Sequence, residues 1–380
     1  MRAAVTATPA TAQGHDGEGA IVTRYDDELR ELEAIADGTA GADNGAAPTR
    51  RGPKPSGRVS MAVVAAHAGV SGQTVSRVVN DSPRVDPATR ARVEAAMAEL
   101  GYRPHRAARA LRTGRSRTIG VVAETLATVG NSALLQAVAE AAEARGYALA
   151  VVTLGAAGRI GEAFDRLHDQ GVDGAIVLNE ASALARDADP AGLALVVVDA
   201  PADPRFAVIG TDHAAGARAA TAHLLDRGAA SVHHLAGPAG SFAAAERERG
   251  WREQLAARGL EAPELRRGDW SAASGHAAGR RLAADPSVVA VFAANDQMAL
   301  GLLRALAEAG RRVPEDVAVL GFDDIADAAE FRPPLSTVRQ DFGALGEQAV
   351  RLVVDRVEGL DDQTQDPPLL TPVLVVRASS

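Results

Sequence analysis

Gln73 and Arg77 stand four residues apart, a spacing that puts both side chains on one face of a helix. Glutamine can bond bidentately to adenine and arginine to guanine or to phosphate, so the pair carries the chemistry of major-groove base recognition. Taken alone, two polar residues at this spacing also describe an ordinary solvated helix face, and their surroundings decide between the readings. Between Arg50 and Thr118 fourteen Lys and Arg stand against four Asp and Glu, a surplus of ten positive charges in a chain whose net charge is −9, so the remainder carries −19. A cationic module on an acidic body suits a protein that meets phosphates at one end and not at the other.

A second set is spread over the rest of the chain. Asn179, Asp199, Arg247, Trp270, Asn295, Gln297, Asp323 and Phe342 are polar or aromatic residues near the ends of apolar runs. Carboxylates, amides and a guanidinium together grip vicinal hydroxyls, and an indole face stacks on the apolar face of a pyranose. Each position also has a plain structural reading. Asp199 and Asn295 fit helix caps or turns, Trp270 fits a core, and Arg247, between Glu246 and Glu248, fits a solvated face. Asp199 and Asp323 could form the carboxylate pair of a glycosidase. No general-acid motif, phosphate-binding glycine loop or metal signature accompanies them, so neither enzymatic activity nor a cofactor or metal is expected. His213, His233 and His234 lack a third ligand at a set spacing and read as ordinary surface histidines.

Elements must hold these residues in place. Ser60 is a candidate N-cap for a helix over 61–68, Gly69 can take the left-handed turn that stops it, and Ser71 caps a second helix over 72–79. Val64, Ala65, Ala68, Val70, Val75, Val78 and Val79 then form a shared miniature core that leaves Gln73, Thr74, Ser76 and Arg77 outward. Asp86-Pro87 opens a third helix that ends at Gly101. Three helices with a tight glycine turn describe a helix-turn-helix domain over 58–104. The basic run 103–112 includes His105, Arg106 and Leu111, with Pro104 breaking the chain before a helix too short to stand alone. It is expected to fold on DNA as a hinge over 105–116, Leu111 wedging between base steps in a minor groove. Residues 1–57 read as a disordered extension with one short amphipathic run, 25–37; the basic segment 50–55 fits a minor-groove arm or a solvated linker.

After Thr118 apolar strands alternate with amphipathic helices to the end of the chain. That pattern predicts parallel sheets covered on both faces, a doubly wound α/β arrangement. About 260 residues exceed one sheet, so 117–380 is expected to form two lobes with a ligand crevice at their strand ends. The chain has no cysteine, which excludes disulfides, and lacks a long uncharged apolar run, so no membrane span is expected. Without a secretory signal at its start, the protein is expected in the cytoplasm.

The segments VSGQTVSRVVN (70–80) and RVEAAMAELGY (92–102) resemble the LacI/GalR family over residues 58–378. The resemblance implies a helix-turn-helix headpiece, a hinge helix and a periplasmic-binding-protein-like core of two doubly wound lobes. Such proteins act as homodimers on palindromic operator DNA, and no apolar heptad run follows the strand 369–376 to make a tetramer. The DNA-binding set is then Ser71, Gln73, Thr74, Ser76, Arg77, Asn80, Arg84, His105, Arg106 and Leu111. LAGP (235–238), GDWSA (268–272), ANDQMALG (294–301), GFDD (321–324) and QDF (340–342) are similar to effector-site segments of the family. They imply that Asp199, Arg247, Asn295 and Asp323 bind the hydroxyls of a sugar effector, a galactoside, over Trp270 and Phe342, with Asn179 and Gln297 as secondary contacts. The sequence departs from the family at Gly72, in place of a base-reading tyrosine, at Ala243 in place of a serine, at Gly210 in place of an aromatic residue, and over 126–131.

Overall fold

A computed structural model describes residues 59–102 except 81, 114–360 except 156, 157, 187 and 191, and 368–380. His105, Arg106, Leu111 and the expected extension 1–57 therefore lie outside the described residues. The chain divides into two compact units, one ending at Tyr102 and one beginning at Arg103.

The first unit is a three-helix domain: α1 (Met61–Ala68), α2 (Gly72–Val79) and α3 (Pro87–Glu99). Its core is the apolar set expected from sequence, with Val64, Ala65, Val75 and Val78 buried against Val93 and Ala96 of α3. Two of the three expected caps are made: Ser71 Oγ accepts from Thr74 N–H, and Asp86 from Thr89 N–H with Pro87 following it. Ser60 stands in the cap position of α1 with extended backbone but makes no side-chain cap bond. Gly69 ends α1 at φ 64°, the left-handed conformation that costs a Cβ-bearing residue more.

The second unit holds two parallel sheets. Strands β1 (Thr118–Ala123), β2 (Ala148–Thr153), β3 (Gly174–Val177), β4 (Ala194–Val198) and β5 (Ala207–Ile209) form a five-stranded sheet in the order β2-β1-β3-β4-β5. Helix α4 (Val129–Ala144) follows β1, α5 (Ile160–Asp169) follows β2, and the short α6 (Ala181–Ala185) follows β3. Alternate residues of each strand serve opposite faces. Ile119, Val121 and Ile176 pack with Leu134 and Val138 of α4, whereas Val122, Ala175 and Val177 pack with Ile160, Phe164 and Leu167 of α5. Burial on both faces explains why the strands read as continuous Val/Ile runs.

The second lobe repeats the plan with α7 (His213–Asp226), β6 (His233–Ala236), α8 (Phe242–Ala257), β7 (Arg266–Arg267), α9 (Ala272–Ala284), β8 (Ala290–Ala293), α10 (Asp296–Glu308) and β9 (Ala318–Leu320). Its sheet order is β7-β6-β8-β9. Val291 and Ala293 face α9 and α10, while Ala290 and Phe292 face α7 and α8. Beyond β10 (Thr337–Arg339), helix α11 (Phe342–Glu358) returns to the first lobe, burying Leu345, Ala349, Val350 and Val353 there. The chain then comes back to pair β11 (Val373–Val375) antiparallel with β10. The lobes are thus joined by three passages, and two of them are stitched together: Leu370 N–H donates to Gly210 O at 2.9 Å and Asp212 N–H to Leu370 O at 2.8 Å. No helix among the described residues is long and apolar enough to cross a membrane.

Candidate functional site

In the three-helix unit, Gln73 and Arg77 are exposed on α2, and Ser71 at its N-cap and Arg84 beyond its end are exposed as well, whereas Thr74, Ser76 and Asn80 are half-buried. The half-buried three are partly engaged in the helix itself. Thr74 Oγ1 lies 2.9 Å from Ser71 Oγ, and Asn80 donates to Ser76 O at 2.5 Å, tying off the end of α2. What remains outward is a short polar strip led by one amide and one guanidinium, the groups suited to base edges.

In the second unit, seven of the eight expected ligand residues line one cavity between the lobes: Asn179, Asp199, Arg247, Trp270, Asn295, Asp323 and Phe342. Asn179 and Asp199 follow β3 and β4 in the first lobe; Trp270, Asn295 and Asp323 follow β7, β8 and β9 in the second. This is the strand-end crevice expected of open parallel sheets. Asn179, Asp199, Trp270 and Asp323 have φ of 45°, 54°, 73° and 112°. A left-handed backbone is unfavourable for residues with a Cβ and is retained where surrounding structure holds it, typically at sites.

Arg247 is the electrostatic centre. It is 4% exposed, so it is no solvated face despite its acidic neighbours. Its Nε donates to His213 Nδ1 at 3.3 Å, Nη1 to Ala294 O, and Nη2 lies 3.4 Å from Asp323 Oδ1. The guanidinium also lies 3.9 Å from the Phe322 ring centroid. Burial pushes the Arg247 pKa down and the nearby Asp323 opposes that shift; burial pushes Asp323 up and Arg247 opposes it. Because His213 Nδ1 accepts from Arg247, its proton belongs on Nε2, 3.0 Å from Asp199 Oδ2. Asp199, His213, Arg247 and Asp323 therefore form one continuous polar chain across the cleft.

Two of the structural alternatives hold together with the site reading. Asn295 is the N-cap of α10, accepting from Met298 N–H, and its Nδ2 donates to Trp270 O at 3.0 Å while it lines the cavity. Trp270 packs in the second lobe's core and also faces the cavity. Gln297 is not among the lining residues; its Oε1 accepts from Val129 N–H at 3.1 Å. Sequence reasoning missed Asn131, Glu180 and Gln340, which also line the cavity. Gln340 Nε2 donates to Asp323 Oδ1 at 2.8 Å, and Trp270 Nε1 donates to Glu180 Oε1 at 2.8 Å. Glu180 was open to discovery by the rule that selected Asn179, since it follows the same strand end.

The histidines are not all surface residues. His213 and His234 are buried, and His234 stacks on Phe292 at 4.8 Å with burial holding its pKa down to about 4. No group of three or more His, Cys, Asp or Glu among the described residues is arranged to hold a metal ion. The arrangement suits a polyhydroxylated ligand: carboxylates and amides converge from both lobes on a cavity with an indole, a phenyl ring and Leu345 in its walls.

Residues 60–105 match the bacterial regulatory proteins of the lacI family, and residues 221–380 match a periplasmic binding protein-like domain. The chain is 38% identical to the HTH-type transcriptional regulator CelR of Thermobifida fusca, over 85% of this chain and 98% of the relative. It is 36% identical to the lactose operon repressor of Escherichia coli K12, over 84% and 89%. Among solved structures, the lac repressor dimer bound to operator and the anti-inducer ONPF superposes with a TM-score of 0.76 at 35% identity, covering 85% of this chain and 99% of that one. A CelR–cellobiose complex gives 0.64 at 37%, covering 85% and 100%.

Proposed function

The chain belongs to the lacI family of bacterial regulatory proteins, and from that membership we propose that it is a cytoplasmic, homodimeric repressor of a sugar-utilisation operon, released from a palindromic operator when a galactoside fills the cleft. The observation that carries the effector half of this reading is the convergence of Asp199, Arg247, Trp270, Asn295 and Asp323 on one interlobe cavity. The operator half rests on the capped α2 with Gln73 and Arg77 outward. Cellobiose is the second effector reading, favoured by its presence in the complex of a relative at 37% identity. The site is read as binding sugar without turning it over.

Two recognition helices of the dimer would enter successive major grooves while the hinge over 105–116 places Leu111 in the minor groove between them. Sugar bound between the lobes would favour one lobe arrangement over another, and the hinge expected over 105–116 would transmit the difference. A differential affinity of about 100-fold, ~2.7 kcal/mol, turns an operator occupied about ten to one into one vacant about ten to one.

The test is fluorescence anisotropy on a palindromic and a scrambled duplex at fixed salt, with and without lactose, other galactosides and cellobiose, while sugar integrity is followed by mass spectrometry. Specific binding abolished by one intact sugar supports the reading. Asp323→Asn should still bind operator and ignore that sugar. Specific binding that no sugar alters overturns the effector assignment; sugar consumed by the protein overturns the assignment as a pure binder.

A further inference from the structure

The cavity has an uneven charge. Glu180, Asp199 and Asp323 all line it, and Arg247 is the one Lys or Arg among its described lining residues. That guanidinium is already committed to Asp323, Ala294 O and His213. Glu180 differs from the other two carboxylates in its company. Asp323 faces the Arg247 guanidinium and Asp199 faces the His213 ring that this guanidinium contacts, whereas the Glu180 oxygens are met by Trp270 Nε1 at 2.8 Å and Asn131 Nδ2 at 3.4 Å, neither of them part of that chain.

We propose that Glu180 is a specificity-determining residue that confines the cleft to uncharged sugars, accepting a ligand hydroxyl and repelling sugars that carry phosphate or carboxylate. The proposal rests on reading the cleft as a sugar site and narrows the ligand class within it. A carboxylate accepts up to about four hydrogen bonds, so a sugar hydroxyl can join the indole without displacing it. An anionic substituent in the same place would set like charges together, with no spare guanidinium to neutralise it, and such repulsion is a standard means of rejecting a wrong ligand. Glu180 sits on the first lobe and Trp270 on the second, so this carboxylate also holds the aromatic platform in place from across the cleft.

Calorimetric titration of the full-length protein with lactose, cellobiose and their 6-phosphorylated derivatives tests this. The wild type should bind a phosphorylated disaccharide about 30-fold or more weakly than its neutral parent. Glu180→Gln, of the same shape and able to keep the Trp270 bond, should narrow that gap at least about fivefold. In the wild type the gap should also shrink as salt rises from about 20 mM to about 500 mM, because screening weakens charge repulsion; this arm needs no variant to fold. Phosphorylated sugar bound as tightly as its parent would overturn the proposal, as would a gap that neither salt nor a normally folded Glu180→Gln changes while the neutral sugar still binds. If no disaccharide of either kind binds, the sugar-site reading falls first and the proposal with it.

Discussion

Gln297 Oε1 of the second lobe accepts a hydrogen bond of 3.1 Å from Val129 N–H, the first amide of α4 in the first lobe. Helix N-termini leave amides without intrahelical partners, and here one of them is satisfied from across the cleft. A residue expected to touch sugar thus ties the two lobes together. Gln297→Ala removes a bond worth about 0.5–1.5 kcal/mol, which shifts the balance of lobe arrangements about two- to tenfold toward the open one. Sugar affinity should fall by the same factor in calorimetry, with operator affinity in the absence of sugar changed in step. Sugar affinity and operator affinity both equal to wild type would show that the bond does not bias the lobes.

Gly210 occupies a position where the family resemblance implied an aromatic residue, and the structure supplies a reason for glycine. A Cβ there would come within 2.5 Å of Asp199 Oδ1, a buried oxygen that also accepts from Thr211 N–H at 3.2 Å. Gly210→Ala should therefore displace the Asp199 carboxylate from His213 and weaken sugar binding about tenfold or more, the scale of a lost charged hydrogen bond. The three-helix unit should still bind operator. Undiminished sugar affinity in this variant would argue that Asp199 does not contact the ligand.

Asp296 is fully buried beside the site, accepting from Ile325 N–H at 2.9 Å and from Thr337 Oγ1 at 2.6 Å. Burial, with Asp323 adding to it, pushes its pKa up to about 8 from the ordinary carboxylate range. A folded-state pKa above the unfolded one means that the native protein binds the extra proton, so this group's stabilising share is complete below about pH 4 and is lost as pH rises through about 8. Thermal melts of the wild type should lose ground between pH 5 and pH 8 relative to Asp296→Asn, which cannot ionise. Parallel melting curves over that range would mean that Asp296 is already ionised in the fold.

Arg77 and Gln73 can be told apart by what they read. If each contacts a base, alanine at either position should cost about 1–3 kcal/mol on the operator and little on a scrambled duplex in anisotropy. Equal losses on both duplexes for Arg77→Ala, with a lower salt dependence, would move that residue to the phosphate backbone.

Much of this was legible from residue chemistry. Ser71, Asp86-Pro87 and Gly69 announced helix boundaries because caps and left-handed turns are local requirements that a few residue types meet. Short edge elements were not: β5 and β10 span three residues each, and such runs are strands only by virtue of their neighbours in space. Arg247 shows the same limit within a helix. Its flanking glutamates suggested a wet face, yet successive helical residues point about 100° apart, so Glu246 and Glu248 say little about where Arg247 points. Asn131 and Gln340 escaped notice because one opens a helix and the other ends a crossover, and only tertiary assembly puts them in the cleft.

The left-handed backbone under Asn179, Asp199, Trp270 and Asp323 has a consequence for anyone wishing to retune this protein as a biosensor. Those four residues occupy conformations that few replacements tolerate, so libraries spent on them would be filled with misfolded variants. Ala243, Thr128 and Asn131 line the same cavity on ordinary helix or cap geometry. Diversity placed at Ala243 would alter the shape offered to a new ligand while leaving the strained frame intact, whereas Asn131, whose Oδ1 accepts from Asn179 Nδ2, and Thr128, the cap of α4, are tied into that frame.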